Sequence, residues 1–219
     1  MPLRLKRSSP GTVVDALDQA GRRLTLVAIL ALAGATTSGL LLPPATIAAV
    51  PTLPRGGFHQ LAATQAPRRL VVSSLGIDAP IVPIQESLGG VITPPSDAQE
   101  VGWWNASAKP GSATGQTVIT GHTVHYGGGQ MDHLGSIPQG ALIQVVTSGG
   151  TVWYRETNVV VYTKAQVVED ASQLFNQQLA HNRLELITCT GWTGSYYTSN
   201  VFVFAQPLGV PNPSRGTTQ

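Results

Sequence analysis

The run Leu142-Ile143-Gln144-Val145-Val146-Thr147, the step Ser148-Gly149-Gly150 and the run Thr151-Val152-Trp153-Tyr154 decide the fold class. Two β-rich stretches separated by a glycine pair read as a hairpin, because tight hairpin turns need the positive φ that glycine adopts without steric cost. Working outward, similar short runs occupy 69–74, 81–84, 116–120, 183–189 and 200–205, and the run that begins at Thr151 extends to Tyr162. Gly and Pro clusters separate them. This spacing predicts an all-β sandwich or barrel. One stretch, 164–182, is rich in Gln, Ala and Leu, and its Val168, Ala171, Leu174, Phe175 and Leu179 recur at three and four residues, which predicts a short helix between strands.

The chain has 219 residues with 24 Gly, 16 Pro, one Cys, and 13 basic against 11 acidic side chains. Charged residues are 11% of the total, far below the roughly 25% of an ordinary soluble domain, so a highly charged disordered chain is excluded. A single Cys cannot form an internal disulfide. The charge is also unevenly placed. Residues 1–23 carry five basic side chains against Asp15 and Asp18, leaving eight basic and nine acidic for the rest. That balance excludes the basic footprint of a nucleic-acid-binding domain.

From Leu24 to Leu42 no residue is charged. Nineteen helical residues rise about 28 Å, close to the roughly 30 Å hydrocarbon core of a bilayer. Arg22 and Arg23 directly precede the segment and no basic residue follows until Arg55, so a single-pass anchor would leave 1–23 cytoplasmic and 43–219 outside. The other reading is a cleaved export signal, with Thr46 and Ala48 as the small residues before the cut. Its apolar stretch exceeds the usual ~7 to 15 residues of such signals, which favours the anchor. Residues 43–67, with five prolines and Gly56-Gly57, read as an extracellular stalk. The folded unit is expected over 68–208, and 209–219 as a loose tail.

Outside the reducing cytoplasm a lone thiol is a liability unless it is buried or used. Cys189 ends the strand pattern Leu184-Glu185-Leu186-Ile187-Thr188 and precedes Thr190-Gly191, where the chain leaves the sheet. His122 follows Thr117-Val118-Ile119-Thr120 through Gly121 in the same manner. A thiol attacks as the thiolate, and a neighbouring imidazole supplies the base and acid it needs. Such partners meet only through the fold. His122, His125, Asp132, His133 and Cys189 are also potential metal ligands, but zinc sites usually take two closely spaced pairs, and only one close group is present. No metal and no cofactor is therefore assigned. His59 falls in the stalk and His181 at the predicted helix end. Trp103, Trp104 and Trp153 read as packing residues, and Trp192, three residues past the Cys, as a wall of a substrate groove.

Taken together, Arg69-Leu70-Val71-Val72-Ser73-Ser74-Leu75-Gly76-Ile77-Asp78-Ala79-Pro80-Ile81, Val101-Gly102-Trp103-Trp104, Val118-Ile119-Thr120-Gly121-His122 and Leu186-Ile187-Thr188-Cys189 resemble, in this order, the sortases, closest to their class E and F actinobacterial-type groups. The resemblance covers residues 68–207. It implies a closed eight-stranded β-barrel with one or two short helices behind an N-terminal transmembrane helix. It also implies a membrane-anchored cysteine transpeptidase with no cofactor. Cys189 would attack the Thr-Gly carbonyl of an LPXTG-like sorting signal on a secreted protein, with His122 as acid and base. An amine from a cell-wall precursor or a pilin would then take the acyl group, and Thr188 and Trp192 would line the substrate groove.

In one respect the chain departs from the family. Sortases carry an Arg on the last strand that binds substrate and supports the oxyanion, whereas residues 190–210 contain neither Arg nor Lys. Tyr197, Thr198 or Asn200 could supply a substitute donor, Arg155 or Arg183 could reach in from another strand, or activity could have been lost. Two other functions follow from these alternatives: a silent surface barrel that binds sorting-signal peptides, and a thiol peptidase that releases its acyl group to water.

Overall fold

The computed structural model describes residues 52–213. The expected cytoplasmic tail, the membrane segment 24–42 and the first part of the stalk lie outside the described residues. Among the described residues no helix is long and apolar enough to cross a membrane.

Nine strands follow one another in the chain: β1 (Phe58–His59), β2 (Pro67–Val72), β3 (Ile77–Ile84), β4 (Val101–Trp104), β5 (Gln116–Gly121), β6 (Leu142–Thr147), β7 (Gly150–Thr163), β8 (Arg183–Trp192) and β9 (Tyr197–Pro211). They hydrogen-bond in the order β1-β9-β7-β6-β2-β3-β4-β5-β8, and β8 pairs again with β9. That last pairing closes β2 to β9 into a barrel of eight strands and removes the free sheet edges that invite aggregation. Two neighbouring pairs, β3–β4 and β5–β8, are parallel.

The expected hairpin is present. Thr147 pairs with Gly150, so Ser148 and Gly149 form the two-residue turn. Strand β4, which packs Val101 and Trp103 into the core, was not expected as a strand. Four residues that include a glycine carry too little alternation to register as one. At the ends, β1 pairs with the last residues of β9. Ordered pairing therefore reaches into the segment read as stalk and runs three residues past the expected end of the domain.

Alternation along the strands sorts side chains into two cores. Leu184, Leu186, Val201 and Val203 point into the barrel with Leu70 and Ile119. On the outer face Val118, Ile187 and Phe202 are covered by Leu174 and Phe175, so the segment linking β7 to β8 covers one outer wall of the barrel. Tyr154 is wholly inside; its hydroxyl accepts the Gly111 amide at 3.1 Å, and burial pushes its pKa up to about 12.

The predicted helix is two short ones, α1 (Lys164–Glu169) and α2 (Ala171–Leu174). Thr163 caps α1 reciprocally: its hydroxyl accepts the Gln166 amide, and the Gln166 side chain accepts the Thr163 amide. Beyond Leu174, side chains compete with the helix for backbone groups. Asn176 Oδ1 accepts the Gln178 amide, and Gln177 Oε1 accepts the Ala108 and Gln116 amides. Residues 175–182 therefore bind the barrel wall instead of continuing the helix.

Candidate active site

The parallel pair β5–β8 sets the site. Its register is constant from Gln116 opposite Arg183 to Thr120 opposite Ile187. The Thr120 hydroxyl donates to the Ile187 carbonyl across the same offset of 67 residues, and the Thr188 hydroxyl donates to the Gly121 carbonyl at 2.9 Å across it again. Cys189 is the next residue of β8, whereas His122 is the first residue beyond the end of β5 and is not among the residues that line the groove of Cys189. Side chains alternate between the faces of a strand, so the Cys189 thiol emerges on the face of Ile187, and both line one groove with Thr120.

Thr188 fixes this corner. It is 2% exposed, and its hydroxyl also lies 2.7 Å from that of Thr123. With Thr188 donating to Gly121, Thr123 is the donor to Thr188, so both residues flanking His122 are tied to the residue before the nucleophile. Gly121 is required by space: a Cβ there would sit 2.9 Å from Met131 Sδ and from Val101 Cγ1. The loop that follows is pinned by Asp132, which accepts the Val124 and Gly129 amides at 2.6 and 2.9 Å. Thr188→Val preserves shape but takes the hydroxyl donor from the Gly121 carbonyl and leaves the Thr123 hydroxyl only the Met131 carbonyl at 3.5 Å. Urea denaturation should show a loss of about 1–3 kcal/mol.

Cys189, half-buried, opens into a mainly apolar groove of about 470 Å³. Ile187, Phe202 and Asn200 form its floor, α1 contributes Lys164 and Val167 to one side, and residues 89–94 form the other. That second wall is a small loop bridged by Glu86 and Ile92 and turned by Gly90, with Val91 exposed. The Trp104 indole donates to the Glu86 carboxylate at its base. Two further concavities, one beside Leu61 and Gly209 and one beside His181 and Arg183, contain no thiol.

The substitute donors expected from the sequence separate clearly. Asn200 is directly opposite Cys189 on β9, and its amide nitrogen lies 3.2 Å from the Thr188 carbonyl and 3.8 Å from Sγ. The Thr198 hydroxyl is occupied at 3.1 Å by the carbonyl of Gly191, whose φ of 72° marks an irregular step in β8. The Tyr197 hydroxyl is buried with no partner among the described residues, and desolvation followed by nearby Asp132 and Cys189 raises its pKa. Arg155 donates to the Gly140 carbonyl, and Arg183 to Gln116 while lying over the Phe204 ring. Neither arginine reaches the thiol.

Other expectations are redirected. Trp192 is 39% exposed and stacks on His125, with ring centroids 4.1 Å apart at 7°, instead of lining the groove of Cys189. It thereby joins the end of β8 to the loop after His122. Thr188 borders the groove, but its hydroxyl is turned inward to Gly121 and Thr123. The side chain the sequence reading missed is Lys164, whose Nζ lies 2.7 Å from Asn200 Oδ1 and 3.7 Å from Cys189 Sγ. The available signal was a lysine in the first helical turn, the end where the helix dipole disfavours a cation. The loop at 89–94 was missed as well, although its Gly89-Gly90 pair between apolar Leu88 and Val91 marks an exposed turn.

No curated protein matches the chain closely enough to count as a relative. Among solved structures the fold is similar to sortase A from Corynebacterium diphtheriae, with TM-score 0.54 and 21% identity over 70% of this chain and 65% of that one. It is also similar to sortase C-1 from Actinomyces oris, with TM-score 0.52 and 19% identity over 65% of this chain and 72% of that one. A sortase D5 transpeptidase from Clostridium perfringens gives 0.50 and 18%, over 66% and 79%. At these identities the likeness is one of fold. The sequence profile of the sortase domain matches residues 70–208; with more than half of its length so matched, the chain belongs to the sortase family.

Proposed function

We propose that the protein is a membrane-anchored cysteine transpeptidase of the class E/F-like kind, acting outside the cell on an LPXTG-like sorting signal. One observation supports this reading: Cys189 borders an open, mainly apolar groove on β8, and His122 follows directly on β5, the strand paired in parallel with β8. Sγ attacks the Thr-Gly carbonyl carbon and its π electrons move to oxygen. The tetrahedral adduct collapses, the C–N bond breaks, and His122 gives a proton to the departing amine. The acyl part remains as a thioester on Cys189. An amine from a cell-wall precursor or pilin then attacks the thioester carbon, loses a proton to His122, and expels the thiolate. Anchoring by residues 24–42 would hold this chemistry where secreted substrates emerge, raising their effective concentration.

The test is incubation with LPXTG-type peptides, with and without an amine acceptor, followed by mass spectrometry of the intact chain. The expected result is an acyl adduct on Cys189, absent in Cys189→Ala, that converts to ligated peptide when the amine is added. Acid product alone, even with amine present, would favour the thiol peptidase. Tight peptide binding without any adduct would favour the silent barrel.

A further inference from the structure

We propose that Lys164, held by Asn200, is the cationic group that stabilises negative charge on Cys189 and on the carbonyl oxygen it attacks. The proposal rests on the transpeptidase reading for its second half and on geometry alone for its first. Lys164 Nζ lies 2.7 Å from Asn200 Oδ1 and 3.7 Å from Sγ. An ammonium only donates, so the Asn200 oxygen must face it and the Asn200 amide must face the other way. There the amide meets the Thr188 carbonyl at 3.2 Å and Sγ at 3.8 Å, both acceptors. The three side chains thus form a network in which each donor has an acceptor and two donors converge on one sulfur.

The position of the lysine supports the assignment. As the first residue of α1 it sits at the wrong end for the dipole, and its site is fixed by the reciprocal Thr163–Gln166 cap. A locally unfavourable residue retained by a well-built cap is what a functional position looks like. When Sγ bonds to a carbonyl carbon, the oxygen lies one bond beyond, within the sweep of a flexible lysine stem, and the ammonium swings from Sγ to that oxygen as charge moves onto it. Among the described residues, Lys164 is the cation within hydrogen-bond reach of Cys189. A positive charge from the β7–α1 corner thereby supplies what the last strand lacks.

Because the chain has one Cys, alkylation reports on this thiol alone. Full-length wild type, Lys164→Met and Lys164→Arg are each treated with iodoacetate, which is anionic, and iodoacetamide, which is neutral, at one pH and low salt. A cation at Sγ speeds the anionic reagent selectively. The iodoacetate-to-iodoacetamide rate ratio should fall about fivefold or more in Lys164→Met, as expected for one charge near 4 Å in a wet site, and return in Lys164→Arg. In parallel, single-turnover thioester formation with an LPXTG-type peptide should drop about 10²-fold in Lys164→Met with KM little changed, the size expected for one oxyanion donor.

An unchanged reagent ratio overturns the proposal, and so does a thioester rate in Lys164→Met equal to wild type; the second result leaves the transpeptidase reading standing. A lowered ratio together with no thioester in wild type on any peptide sustains the charge placement and removes the transpeptidase reading instead.

Discussion

His122→Gln is expected to lower the rate of thioester formation by about 10²- to 10⁴-fold, the range over which a positioned acid–base group contributes. Glutamine matches the imidazole approximately in size and can hydrogen-bond, but it cannot exchange a proton near neutral pH. The departing amine would have to leave without a proton, and the incoming amine would keep its own. Both halves of the reaction should therefore slow. Rapid-quench measurement of acyl adduct separates the first half, and adding an amine to preformed adduct separates the second. Iodoacetamide labelling of Cys189 in the same variant checks that the thiol is still presented at the groove. Wild-type rates in both halves would require the proton to travel by another route and would remove His122 from the mechanism. His125 is the nearest alternative in sequence, but its ring is stacked on Trp192.

Glu185→Gln is expected to stabilise the protein above neutral pH and to flatten its stability profile. Glu185 is fully buried, and neither carboxylate oxygen has a partner among the described residues. Loss of hydration pushes its pKa from 4.5 to about 8, opposed by the nearby Arg183 charge. In the unfolded chain the carboxyl ionises near its ordinary value; in the folded chain it keeps its proton. Between these values the unfolded state binds fewer protons, so folding stability falls as pH rises from about 4.5 to about 8 and stays low above. The full difference is on the order of 5 kcal/mol. Chemical denaturation at pH 5, 7 and 9 should show the wild type weakening along this series while the glutamine variant changes far less. Parallel curves for the two proteins would mean that Glu185 is not held neutral.

The class of fold was legible because period-two alternation and glycine turns are local properties. Strand β6 begins and ends where its β-branched run does, and the hairpin to β7 follows from glycine at the turn. Cys189 and His122 stood out in the sequence for a related reason, since each closes a β-branched run near a glycine; the structure corrects the first, because β8 runs on past Cys189 to Trp192. What lies around each of them depends on the parallel β5–β8 register, which joins residues 67 positions apart and leaves no short-range trace. Lys164 was hidden differently. Its stretch is periodic enough to read as a helix, but a helical pattern does not tell which neighbour the first residue faces. Only the closed barrel, with β9 between β7 and β8, brings the end of β7 beside Asn200 and Cys189. Trp192 shows the converse: its place in sequence suggested a groove wall, and an aromatic partner from another loop claimed it.

The β5–β8 register has a consequence for how such a protein can diversify. The ends of β5 and β8 keep their spacing through hydrogen bonds between the two strands, so the length of chain running from one strand to the other does not enter it. That connection includes α1 and α2, one side of the groove. Groove-facing side chains of α1 beyond Lys164, Val167 and Val168 among them, can thus be exchanged to suit a different peptide while the paired strands stay in place. The part that chooses and the part that reacts can be altered one at a time.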